Sequence, residues 1–273
     1  MPIIINGNTV NSVALGNQEL YAVAIGSTIV WQASTVARGT LFMVGRDSSN
    51  NGNLYSVDID TGVATKIGSS TDFGVSESQP RGLAVLNGVL YMTGNDTNRL
   101  YTLNTTTGAA TAVNASTRNY GVSRANQAND LAPVGSTLYM IEGRTDRLYS
   151  ISTTTGVASP IGPVGFGVSE NSPTGLTAIG NTLYMTGNEF DALFNVNTTT
   201  GIATRIGNAV EFGASISTPT GLGAFGELLY MTDNGTDAIY TVNPRTGVAM
   251  RVGSATSFGA NVTIPRGLAF MAS

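Results

Sequence analysis

The chain predicts an all-β protein, a five-bladed β-propeller of four-stranded antiparallel blades, closed by a C-terminal inner strand and preceded by a small β module. Three observations carry this reading. A Leu-aromatic-Met phrase recurs at 41–43, 90–92, 138–140, 183–185 and 229–231. Each copy is followed by a Thr-Gly pair, and the glycines Gly62, Gly108, Gly156, Gly201 and Gly247 lie 45 to 48 residues apart, the length of a four-stranded blade. No apolar run keeps a 3.6-residue period long enough for a helix; short β-branched and aromatic runs alternate instead with Gly and Asn turns.

The second repeat shows the elements in order. Strands are predicted at 82–85, 89–93, 99–104 and 109–113, here lettered A to D from the centre outward. Asn87-Gly88 and Thr107-Gly108 supply tight turns, and 94–98 a loop. The ends of the array complete each other. The phrase 267–271 reaches the C-terminus with no B, C or D strand after it, while the first repeat starts at Gly39 with no A strand before it. The last strand therefore serves as strand A of the first blade, which removes two open edges. The sequence 129–131, Asn-Asp-Leu, departs from the Arg-Gly-Leu or Thr-Gly-Leu of its siblings and predicts a local irregularity in the third blade.

Composition narrows the function classes. The chain has 273 residues, 41% hydrophobic and 11% charged, enough for a buried β core. Net charge is −4 and Lys66 is the only lysine, so no basic stripe is present to neutralise a nucleic-acid backbone. Cysteine and histidine are absent, which removes disulfides, Ser-His and thiol nucleophiles and most zinc sites. Acids such as Glu77, Glu170 and Glu211 fall in different D-to-A loops, with no facing pair of the kind glycosidases use. The chain is thus expected to be no enzyme and to need no cofactor or metal; Asp47 with Asn50 and Asn51, or Asp96, lacks the carboxylate density calcium requires. The apolar run in 1–5 ends at Asn6-Gly7, too short for a signal peptide or a membrane span, so neither export by a leader nor membrane insertion is expected.

Residues 1–34 stand outside the blade pattern and form a first domain, with 35–273 as the propeller. Glycines Gly7, Gly16 and Gly26 set a rhythm of short strands too small to bury a core alone. Leu15, Tyr21, Ile25 and Trp31 are its candidate attachment or oligomerisation residues. The run from Asn8 to Gly16, and that from Tyr21 to Trp31, resemble the short G-x-x-x-V-x-x-V-x-x-G-x-x-x-V-W modules of tailed-bacteriophage virion proteins of the fibre or adhesin type. This resemblance implies attachment to other virion proteins through residues 1–34, a virion location after synthesis in a host cytoplasm, and a homotrimer through the N-terminus. The rest of the chain resembles generic propeller repeats, which implies fold and not function.

Strand order separates two faces. The A-to-B and C-to-D turns share one, nearly uniform at Thr105–Gly108, 153–156 and 198–201; the B-to-C and D-to-A loops share the other, which varies between repeats. Connectivity brings residues 1–34 in on the uniform face, opposite the variable one. Candidate contact residues on the variable face are Arg46, Asp47, Asn95, Asp96, Arg144, Glu189, Phe190, Asp233 and Asn234. Asn98, Asp146, Asp191 and Asp237 read as turn residues. The repeated aromatic-glycine pairs at Phe73, Tyr120, Phe166, Phe212 and Phe258 read as packing between blades, with stacking on a sugar face as the other possibility. Two functions fit: an adhesin whose variable face binds a host-surface glycan or protein, or a structural virion part such as a capsid decoration or fibre cap. A free-standing lectin is a third. Deleting residues 1–34 is expected to leave a folded, monomeric propeller by circular dichroism and size-exclusion chromatography; loss of the β signal would unseat the two-domain reading.

Overall fold

The computed structural model describes residues 39–272 apart from 123–126, 169–171, 215, 217, 255–256 and 260, and before residue 39 the backbone of six short strands. The chain divides into two compact units, Met1–Arg38 and Gly39–Ser273. In the first, β1 (Ile4–Ile5) pairs with β2 (Asn8–Thr9), β3 (Val13–Leu15) with β4 (Gln18–Leu20), and β5 (Ala22–Ile25) with β6 (Thr28–Gln32), all antiparallel. Leu15, Ile25 and Trp31 fall on β3, β5 and β6. Their side chains, and Tyr21 altogether, lie outside the described residues.

The second unit is a five-bladed propeller of four-stranded antiparallel sheets. Blade 1 combines β7 (Gly39–Asp47), β8 (Gly52–Val57) and β9 (Ala64–Lys66) with the C-terminal β26 (Val262–Ala272), in the order β26-β7-β8-β9. Blade 2 is β10 (Pro80–Leu86), β11 (Val89–Gly94), β12 (Arg99–Leu103) and β13 (Ala110–Ala112). Blade 3 is β14 (Ala128–Val134), β15 (Thr137–Glu142), β16 (Arg147–Ile151) and β17 (Ala158–Ile161). Blade 4 is β18 (Pro173–Ile179), β19 (Thr182–Gly187), β20 (Ala192–Val196) and β21 (Ala203–Arg205). Blade 5 is β22 (Pro219–Phe225), β23 (Leu228–Asp233), β24 (Ala238–Val242) and β25 (Ala249–Arg251). The closing strand is in register with its neighbour, Leu268 opposite Met43 and Phe270 opposite Leu41. Among the described residues no helix is long and apolar enough to cross a membrane.

The recurring phrase now has a physical reason. Successive side chains on a strand point to opposite faces, and each blade is covered on both faces by its neighbours. In β11, Leu90 and Met92 pack in the cluster shared with blade 1, and Tyr91 in the cluster shared with blade 3. Leu138 and Met140 repeat this against blade 2, with Tyr139 turned toward blade 4. Hydrophobic burial is therefore divided among five inter-blade clusters. Each holds one aromatic from the preceding D-to-A loop: Phe73, Tyr120, Phe166, Phe212 and Phe258 are 0 to 1% exposed. These rings close the blade interfaces and present no face for stacking on a ligand. Four of them are held in left-handed backbone, φ 50° to 56°, flanked by further left-handed residues such as Asp72 and Gly74. That conformation costs about 1 kcal/mol or more per non-glycine residue, and burial of a whole aromatic ring offsets it.

The uniform turns are built from side chains as well as glycine. Asn104 Oδ1 accepts the N–H groups of Thr106 and Thr107, and Asn197 and Asn243 do the same in their blades. The Thr-Gly signature is thus an Asx turn followed by a left-handed glycine, Gly108 at φ 70°.

Blade 3 corrects one expectation. Its sequence departs at 129–131, yet its ladder carries the same register shift as its siblings and no extra irregularity. The departure has another purpose. Four of the five inner strands place a glycine at this position, Gly82, Gly175, Gly221 and Gly267; a Cβ on Gly82 would lie 2.6 Å from the Asp130 backbone. The fifth place is Asp130, fully buried, and its carboxylate occupies the space the glycines leave. Oδ1 accepts the N–H of Leu83 at 3.1 Å and of Leu131 at 2.9 Å; Oδ2 accepts that of Leu176 at 2.8 Å and of Leu222 at 3.3 Å. One side chain so ties the inner strands of four blades together. Burial pushes this carboxyl well above the usual carboxylate range, against the pull of those four N–H groups.

Asp130→Ala should lower the unfolding free energy by about 2–4 kcal/mol, because inward-facing N–H groups on three other strands lose their acceptor. Urea unfolding measures it, and an unchanged midpoint would mean that the carboxylate does not link the blades.

Candidate functional site

The site begins with a backbone irregularity. In every inner strand the register against its neighbour slips ahead of the repeated Leu of the phrase, between Pro80 and Leu83, Ala128 and Asp130, Pro173 and Gly175, Pro219 and Gly221, and Pro265 and Leu268; β26 slips a second time, between Val262 and Ile264. Proline opens the bulge in four of the five blades, where it cannot donate to the ladder. A bulge re-aims the side chain of the extra residue. The residues so placed are Arg81, Asn129, Thr174, Thr220 and Arg266, and all five line one cavity of about 260 Å³. Gln127 and Ser172 from D-to-A loops and Asn188 from a B-to-C loop complete its polar wall, so it opens on the variable face.

The neutral part of this ring is anchored. Asn129 Nδ2 donates to the Pro173 carbonyl at 2.6 Å. The hydroxyls of Thr174 and Thr220 pair with those of Thr186 and Thr232, each at 3.0 Å. The charged part is different in kind. Arg266 of blade 1 and Arg81 of blade 2 stand on neighbouring blades, half-buried, with Arg46 at the end of β7 beside them. Burial, then the charges of Arg81 and Arg46, pushes the Arg266 guanidinium down to about 9. Burial and then Arg46 lower Arg81 as well, while Glu77, Tyr120 and Asp96 act in the opposite direction. A value near 9 keeps Arg266 cationic at neutral pH, so the cavity mouth concentrates positive charge on a chain whose net charge is −4.

The neighbouring acids are committed to their own loops. Glu77 is fully buried and accepts the N–H groups of Gln79, Asp96 and Thr97 and the Thr97 hydroxyl; burial raises its pKa. A Cβ on Gly94 would collide with this carboxylate. In blades 3 and 5, Glu142 and Asp233 at the end of strand B do the same for Thr145 and Thr236. One function, clipping the B-to-C loop from inside, is thus supplied from two different chain positions. Glu170 lies outside the described residues.

The nine residues expected to make contacts are distributed as follows. Arg46 joins the arginine group, its Nε buried without a hydrogen-bond partner. Asp47 accepts the N–H of Ser49 and Asn51 and the amides of Asn51 and Asn53; Asp96 accepts from Ser78 and Gln79. Asp233 is fully buried in its loop clip. Asn95 and Asn234 donate backbone N–H groups to the Gln79 and Thr218 carbonyls. Arg144, Glu189 and Phe190 are exposed on the B-to-C loops of blades 3 and 4, with Phe190 6.5 Å from the Phe194 ring. None of the nine lines the axial cavity. Asn98, Asp146, Asp191 and Asp237 take left-handed backbone, φ 42° to 51°, as turn residues do. The five lining residues on the inner strands escaped the sequence reading because they belong to a repeated phrase. The signal was present: the residue before each glycine of the Gly-Leu phrase, or before Asp130, changes between Arg, Asn and Thr from blade to blade.

No family model matches the chain, and no curated protein matches it. Among solved structures it is similar to a chain of a nidogen/laminin complex, with 12% identity over 85% of this chain and 98% of that one and a TM-score of 0.55. It is also similar to virginiamycin B lyase from Staphylococcus aureus, with 11% identity over 90% of this chain and 79% of that one and a TM-score of 0.45. At such identities the first likeness bears on the fold alone and the second carries no argument.

The loop carboxylates give a pH signature. Burial opposes ionisation at Asp47 and Asp96, but their several hydrogen bonds together hold both below the usual 3.8. Their contribution is therefore present above about pH 4 and lost as pH falls through the folded values. Hydrogen exchange at the Ser49, Asn51 and Ser78 amides, corrected for intrinsic rate, should accelerate between pH 4 and pH 2, and Asp96→Asn should remove the step at Ser78. A flat profile at Ser49 and Ser78 would contradict the clipped-loop account.

Proposed function

We propose that this protein is a binding protein without catalytic activity, an adhesin of a phage particle that attaches through residues 1–34 and recognises a host-surface glycan through the variable face of the propeller. The observation that carries the reading is the axial cavity. It is walled by Arg, Asn, Gln, Ser and Thr side chains, takes residues from several blades, and varies just where the packing residues repeat. Convergent neutral donors and acceptors around a concave opening suit the hydroxyls of a sugar better than the flat apolar patch a subunit contact would need. Phe190, 41% exposed, is two residues from Asn188 on the same B-to-C loop and offers an apolar ring on the variable face. The attachment half of the proposal rests on the resemblance of 8–31 to virion modules.

A screen of the full chain against host envelopes and a glycan array tests recognition, and mass spectrometry of purified virions tests attachment. Binding is expected, with Asn129→Ala and Asn188→Ala each weakening it about fivefold or more, the loss of about one hydrogen bond. A chain found in virions that binds no surface would instead be a structural part of the particle.

A further inference from the structure

The two arginines of the axial ring are not explained by packing. At the same bulge position three blades manage with Asn129, Thr174 and Thr220, so the fold does not require a long or charged side chain there. Arg81 and Arg266 nevertheless sit on adjacent blades, partly withdrawn from water, Arg266 repelled by Arg81 and Arg46 and Arg81 by Arg46. Desolvating like charges side by side opposes folding. The acids that act on Arg81, Glu77 and Asp96, have their oxygens taken by their own loops, and among the described residues the charges that act on Arg266 are those of Arg81 and Arg46. Among the described residues no carboxylate lines the cavity. A pre-assembled pair of guanidinium groups in a polar cavity is the arrangement that binds a planar or tetrahedral oxyanion through paired N–H donors.

We propose that the axial cavity seats the oxyanion of an acidic sugar, a carboxylate or a phosphate carried on the ring, between Arg81 and Arg266, while Asn129, Thr174, Asn188 and Thr220 meet the sugar hydroxyls. Arg46 adds positive field to this pair. The cavity of about 260 Å³ falls just below the usual range of small-molecule pockets, about 300–1,000 Å³, so it takes one terminal unit and not the interior of a long chain. This rests on the axial cavity being the recognition site and names the class of glycan it selects.

The test is calorimetric titration and thermal shift of the full chain with glucuronate, N-acetylneuraminate and glucose 6-phosphate, with glucose as the neutral control and inorganic phosphate as the free anion. An acidic sugar is expected to bind at least tenfold more tightly than glucose, and the affinity to fall with added salt. The carboxylate and phosphate arms decide which oxyanion is preferred, and stronger binding of inorganic phosphate than of any sugar would overturn the sugar half of the proposal. Arg81→Gln and Arg266→Gln should each weaken binding about tenfold or more, while Arg205→Gln on the outer strand of blade 4 should leave it unchanged. Without ligand, Arg266→Gln should raise the melting temperature, because it relieves the repulsion from Arg81 and Arg46; a purely structural arginine would lower it. Acidic sugars that bind no better than glucose to the unaltered chain would overturn the proposal whether or not the variants fold. If host surfaces are bound but neutral sugar competes as well as acidic, the adhesin reading stands and the anion site falls; if no surface and no sugar is bound, both fall.

Discussion

Five inner strands meet so closely around the propeller axis that four of them admit only hydrogen as a side chain at the point of approach. Gly82, Gly175, Gly221 and Gly267 make that approach, and Asp130 fills what remains. Backbone N–H groups turned toward an axis have no ladder partner, and in a dry centre each would be costly. Asp130 answers three such groups on neighbouring strands and one on its own.

Energetically the molecule separates two kinds of work. Cohesion comes from five similar interfaces, each with its Leu-Met pair, its tyrosine or phenylalanine from the next blade's neighbour and its D-to-A aromatic. Because those interfaces are nearly equivalent, a change in one loop leaves the others intact, and the loops are clipped locally by Glu77, Glu142, Asp233 and Asp47. The inner-strand bulges are where equivalence is given up. Three carry neutral side chains with partners, and two carry arginines whose mutual repulsion the fold tolerates. Local sacrifice of stability on a rigid scaffold is the usual mark of a site.

The likeness to a solved chain at 12% identity bears on the fold alone. Propellers share blade packing, and what sits at the mouth of the channel is set blade by blade. For this chain, that position reads Arg, Asn, Thr, Thr, Arg around the ring, beginning with Arg81.

The sequence by itself determined the blade count, the strand order, the closing role of the last strand and the division between uniform and variable faces, because these depend on period-2 burial and on turn chemistry, which are local. It also marked the buried aromatics, since a ring repeated in every blade must answer a need common to every blade. Only the tertiary structure decided what Asp130 and the bulge residues do. Successive bulge residues stand 45 to 48 residues apart along the chain, and their relation to one another and to Asp130 exists only when the ring closes and brings five inner strands to one axis. For the same reason Asp47, Asp96 and Asp233 looked available in the sequence: their partners are backbone N–H groups, which every residue but proline carries and which no sequence pattern reveals.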